Sequence, residues 1–104
     1  MSNDENFFAA ALPAFKPVEA LLTLKRNLRD LRSLTERSGS GTFELQGQPV
    51  LELRADDKLL HARLVKRPAR SPEWETRDCA SSVEVRRLLD EVKRRLGQWT
   101  DDTP

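Results

Sequence analysis

From Pro17 onward the apolar residues Val18, Leu21, Leu24, Leu28 and Leu31 recur at spacings of three and four, which places them along one stripe of a helix. Leu22 and Leu34 widen that stripe. Pro17 suits a first helical position, and Ser38, Gly39, Ser40 and Gly41 supply a flexible corner at the far end. The pattern therefore predicts a helix over 17–37. Its outer face carries Arg26 with Asp30 and Arg32 with Glu36 at i,i+4, beside a basic ridge of Lys25, Arg29 and Arg32.

At Thr42 the period changes to two. Phe43 and Leu45 alternate with Glu44 and Gln46, and Leu51, Leu53 and Ala55 alternate with Glu52 and Arg54 across a turn at Gly47 to Pro49, which reads as a hairpin. Asp56, Asp57 and Lys58 form a second turn. A third strand follows, with Leu60, Ala62 and Leu64 on one face and His61, Arg63 and Val65 on the other. Residues 68–72 form a loop bounded by prolines, and Trp74 to Cys79 is a candidate fourth, edge strand with charges on both faces.

Ser81 with Glu84 three residues later is a capping box. It introduces Val85, Leu88, Leu89, Val92, Leu96 and Trp99, the cleanest amphipathic pattern in the chain. The opposite face offers four i,i+4 ion pairs: Arg86 with Asp90, Arg87 with Glu91, Asp90 with Arg94, and Glu91 with Arg95. Two helices covering one side of an antiparallel meander give a two-layer α+β domain, ordered αβββ(β)α, with three to four strands over residues 17–99. Before it, Phe7, Phe8, Leu12 and Phe15 form an apolar patch in a flexible leader, residues 1–16, where Pro13 and Pro17 forbid one continuous helix. These aromatics serve either to dock a partner or to fold back on the first helix as a staple. Residues 100–104 are expected to be a disordered acidic tail.

Composition narrows the classes of function. The chain holds one His, one Cys and no Tyr, so few of the side chains from which active sites are built are present. A lone Cys79 forms no internal disulfide and favours a reducing compartment, the cytoplasm by default. The apolar run at Phe7 to Leu12 lacks the basic flank of a signal peptide and the length of a membrane span. Net charge is +1, but Asp4, Glu5, Asp101 and Asp102 lie at the ends; without them thirteen acids face eighteen bases, a central charge of +5.

Candidate chemistry is sparse. Cationic Arg63 and Lys66 near His61 should lower its pKa and leave it neutral at pH 7, a solvated strand residue rather than a base. An enzyme using His61 with an acid such as Glu52 would still lack a nucleophile brought near them. One His and one Cys cannot fill a zinc site, Asp56 and Asp57 are explained by a turn, and Glu73, Glu75 and Asp78 lack the glycine of a calcium loop. No cofactor or metal is expected. Trp74 and Trp99 fit the edge of a small core.

The stretch between Asp57 and Glu73 contains no acid, so Arg63, Lys66, Arg67 and Arg70, with Trp74 available for stacking, are candidate nucleic-acid contacts. The order helix, three strands, helix over residues 17–99 resembles that of the double-stranded RNA-binding domain. That family has a lysine run at the start of its last helix, where Ser81 to Glu84 stand here. It has a His between its first two strands, where Gly47 to Pro49 stand here. The resemblance is one of topology and carries no functional residue across. Leu-rich stripes on both helices, in a domain able to bury a single core, favour a non-enzymatic module that binds protein and forms a homodimer.

Overall fold

The computed structural model describes residues 14–101. Helix α1 (Pro17–Arg29) starts with Pro17 in its first turn and no side-chain cap. Ala20 N–H donates to the Lys16 carbonyl at 2.9 Å. Phe15 and Ala20, at the two positions of a hydrophobic staple, both pack against the core. That position is compatible with a staple at Phe15; Phe7, Phe8 and Leu12 lie outside the described residues.

The first helix is shorter than its periodicity predicts. After Arg29 the chain turns, Leu31 N–H donating to the Leu28 carbonyl and Leu34 N–H to that of Leu31, and enters strand β1 (Leu34–Glu36). Leu34 is still buried, so its spacing reported a core position correctly but not the backbone that delivers it. The proposed Arg32 to Glu36 helical pair does not form. Instead Glu36 turns back beneath α1. Its side chain is only 6% exposed and meets Lys25 Nζ at 3.1 Å and Arg29 Nη2 at 2.7 Å, while Gly41 N–H donates to its second oxygen at 3.1 Å.

Four further strands follow: β2 (Thr42–Leu45), β3 (Gln48–Ala55), β4 (Leu60–Val65) and β5 (Trp74–Cys79). All neighbours are antiparallel in the order β1-β2-β3-β4-β5. The meander therefore has five strands, one more than the upper expectation. Gln46 and Gly47, at φ 53° and 83°, form the two-residue turn between β2 and β3, so Pro49 belongs to the strand. A register shift opposite Phe43 and Glu44 inserts one extra residue in β3, and it accounts for adjacent Val50 and Leu51 both being buried. Asp56 shapes the next turn by accepting from Lys58 and Leu59 N–H, both at 2.8 Å.

Gly41 lies where the chain passes closest to itself. Its φ is +85°, and a Cβ there would stand 2.4 Å from the Leu53 carbonyl oxygen, while Leu53 N–H donates to Gly41 O at 2.9 Å. Only glycine satisfies both demands.

Helix α2 (Ser82–Asp101) begins with the expected Ser81 cap, Glu84 N–H donating to Ser81 Oγ at 3.3 Å, while the Glu84 carboxylate reaches one residue further back than in a capping box and accepts from Ala80 N–H at 2.7 Å. It runs two residues past the expected end at Trp99. Of the four i,i+4 pairs, Glu91 with Arg95 forms, and Glu91 also takes Arg94. Leu24 and Leu28 of α1 and Leu88, Val92 and Leu96 of α2 close over Phe43, Leu51, Leu60 and Leu64 of the sheet. The fold is α+β in two layers, as predicted, with helices on one face only.

Candidate functional site

The uncovered face of the sheet carries Glu52, Arg54, His61, Arg63, Trp74 and Asp78. Its charges are largely spent on one another. Arg63 Nη1 donates to Glu52 Oε1 at 3.0 Å, and its guanidinium carbon lies 4.7 Å from the Trp74 ring centre. Arg37 pairs with Glu44, and Lys66 Nζ reaches Glu73 at 3.4 Å. Of the five candidate nucleic-acid residues, Arg63 and Trp74 touch and Lys66 is paired; Arg67 and Arg70 are exposed on the β4–β5 loop without an ion pair among the described residues.

His61 corrects the sequence reading. Its Nε2 lies 2.7 Å from Asp56 Oδ2 and its Nδ1 2.9 Å from Asp78 Oδ1. Two carboxylate oxygens facing both ring nitrogens require both nitrogens to donate, which only the imidazolium does. The hydrogen bond to Asp56, then that to Asp78, raises the His61 pKa, outweighing desolvation and the charge of Arg54. Asp56 is correspondingly held well below the carboxylate range, by His61 first and then by the Leu59 and Lys58 amides. Sequence proximity to Arg63 and Lys66 misled because their side chains are engaged elsewhere.

Cys79 pairs with Leu60, one register position from His61 with Asp78, and therefore points to the other face. It is 3% exposed, and burial, then Glu84 and Asp78, push its thiol up. The only imidazole and the only thiol are separated by the sheet. Among the described residues no three His, Cys, Asp or Glu side chains converge so as to hold a metal.

On the helical layer an open cleft of about 1050 Å³ lies between α1 and the first half of α2, lined by Phe15, Ala20, Leu24, Val85 and Leu89 with Lys93 and Asp90 at its rim. Val18 and Leu22, both more than half exposed, stand on the opposite flank of α1.

The two sheet edges differ. At β1, Arg37 N–H donates to Thr42 O at 2.8 Å, which fixes the phase: Thr35 turns its backbone to β2, and Leu34 and Glu36 turn theirs outward. The outward Leu34 amide is already taken by Leu31. That edge is short and half closed. At the other edge, Lys66 N–H donates to Glu73 O at 2.9 Å, so Glu75, Arg77 and Cys79 bond β4, and Trp74, Thr76 and Asp78 present N–H and C=O groups outward. The sequence hinted at this edge through charges on both faces of residues 74–79, although which amides face outward follows only from the register.

Behind β5, Arg95 of α2 donates to Glu75 Oε1 at 2.5 Å and to the Val65 carbonyl at 3.0 Å. Arg77 reaches the same Oε1 only at 3.5 Å. Glu75 Oε2 accepts no hydrogen bond among the described residues.

With five strands between its helices, the chain departs from the three-stranded order of the double-stranded RNA-binding domain. No helix among the described residues is long and apolar enough to cross a membrane. The chain matches no protein-family model, no curated protein and no solved structure.

Proposed function

We propose that this protein is a non-enzymatic, cytoplasmic protein-binding module that works as a homodimer. The observation that carries the reading is the outer edge of β5, six residues long and unpaired among the described residues. An edge of that length presents a row of N–H and C=O groups on which another strand can pair. The opposite edge is three residues long and partly satisfied by its own turn. The separation of His61 from Cys79 supports a binding role over nucleophilic catalysis. A single buried thiol fits a reducing compartment.

The alternative, nucleic-acid binding through Arg63, Lys66, Arg67, Arg70 and Trp74, is less well supported. Arg63 and Lys66 already pair with Glu52 and Glu73, which leaves few cations to displace counterions from phosphate. Tagged and untagged copies of the chain, mixed and captured by the tag, test the preferred reading: the untagged copy should be retained. Failure to retain it, together with retardation of duplex RNA or DNA at low salt, would replace this reading with the alternative.

A further inference from the structure

We infer that two copies join their β5 strands antiparallel about a two-fold axis through Thr76, making one continuous sheet. The inference deepens the homodimer reading and rests on it. Residues that exchange hydrogen bonds across such a junction must both face outward, which restricts the pairing to Trp74, Thr76 and Asp78. Among these, three registers overlap well enough to matter. Pairing Trp74 with the partner's Thr76 places Glu75 opposite the partner's Glu75. Pairing Thr76 with the partner's Asp78 places Arg77 opposite the partner's Arg77. Both put like charges on the axis, which destabilises a pair.

The central register behaves differently. With Thr76 opposite the partner's Thr76, Trp74 meets the partner's Asp78, and every outward N–H and C=O of the three residues finds a mate. In that register Glu75 stands opposite the partner's Arg77, once on each side of the axis. The side chains are suited to this. Glu75 keeps one oxygen free while Arg95 holds the other, and Arg77, half exposed, is only weakly engaged at 3.5 Å by its own strand. The charges on this edge alternate in sign, so that each meets its opposite across the axis.

Amide exchange in the full chain, followed by NMR at low and high protein concentration, tests the geometry. The Trp74, Thr76 and Asp78 amides should slow by about tenfold or more as concentration rises, whereas the Glu36 amide on the opposite edge should not change. Thr76→Pro should abolish dimerisation without unfolding the monomer, because the amide it removes is not part of the ladder to β4 and proline is tolerated at such edge positions. Arg77→Glu, which sets like charges opposite each other twice, should weaken association about tenfold. A dimer whose β5 amides exchange freely, or which survives Thr76→Pro, overturns this junction and leaves self-association standing. A chain that stays monomeric throughout overturns both.

Discussion

Replacing Gly41 by Ala sets a Cβ 2.4 Å from the Leu53 carbonyl oxygen at a φ of +85°. The backbone of β3 must move or the corner must open. The expected loss is on the order of 2–4 kcal/mol, combining backbone strain with a weakened Gly41–Leu53 hydrogen bond. Gly39→Ala is the control: its φ is also positive but the space around it is open, so the loss should stay near 1 kcal/mol. Urea unfolding of the two variants would separate the effects, and equal losses would refute the steric account.

His61 makes a pH prediction at the same scale. Its pKa is raised in the folded protein by Asp56 and Asp78, so folding favours the protonated ring. The resulting stability is complete below about 6.5, the ordinary value, and is lost as pH rises through the folded pKa. The urea midpoint should fall as pH rises above about 6.5 and through the folded pKa, and His61→Gln should flatten that dependence. An unchanged slope in the variant would assign it to another group. As the only imidazole in the chain, His61 can also be titrated directly by NMR.

Among the elements, α2 and strands β2 to β4 were legible in the sequence because local and tertiary demands agree there. The Ser81 cap, the apolar stripe and the period-two runs each point to the structure that forms. The region from Asp30 to Glu36 was not legible, although the corner at Ser38 to Gly41 was. Leu28, Leu31 and Leu34 continue a helical spacing, yet what decides the path is Glu36, which satisfies Lys25, Arg29 and the Gly41 amide only from a strand that doubles back. Such a contact has no signature in local periodicity. The bulge at Val50 is equally silent, since adjacent apolar residues read the same in a strand or a turn.

If Glu36 ties β1 to α1, Glu36→Gln should cost about 2–3 kcal/mol by leaving Lys25, itself only 13% exposed, without its carboxylate. The Glu36 pKa is the outcome of burial, which raises it, against the bonds from Arg29, Lys25 and Gly41, which together prevail and lower it. Its contribution is therefore present above about pH 4.5 and lost as pH falls through the folded value. Thermal unfolding near neutral pH and again in acid checks both statements: the gap between wild type and Glu36→Gln should narrow in acid.

At the scale of the whole molecule, the helices cover one face of the sheet and the other is polar and internally paired, so neither face forces a partner. The proposed junction lies at the β5 edge, which was the least legible part of the candidate site. The charges of residues 74–79 fall on both faces, which looks like poor patterning until the register separates Glu75 and Arg77 from Trp74, Thr76 and Asp78. Among the candidate nucleic-acid residues, Arg63, Trp74 and Lys66 are engaged with neighbouring side chains, and Arg67 and Arg70 are exposed on one loop. The most direct measurement is sedimentation equilibrium of the wild-type chain beside Thr76→Pro. The account predicts a wild-type mass of twice 11.9 kDa and a folded variant at the single-chain mass. A wild-type chain that sediments as a monomer at every concentration would contradict it.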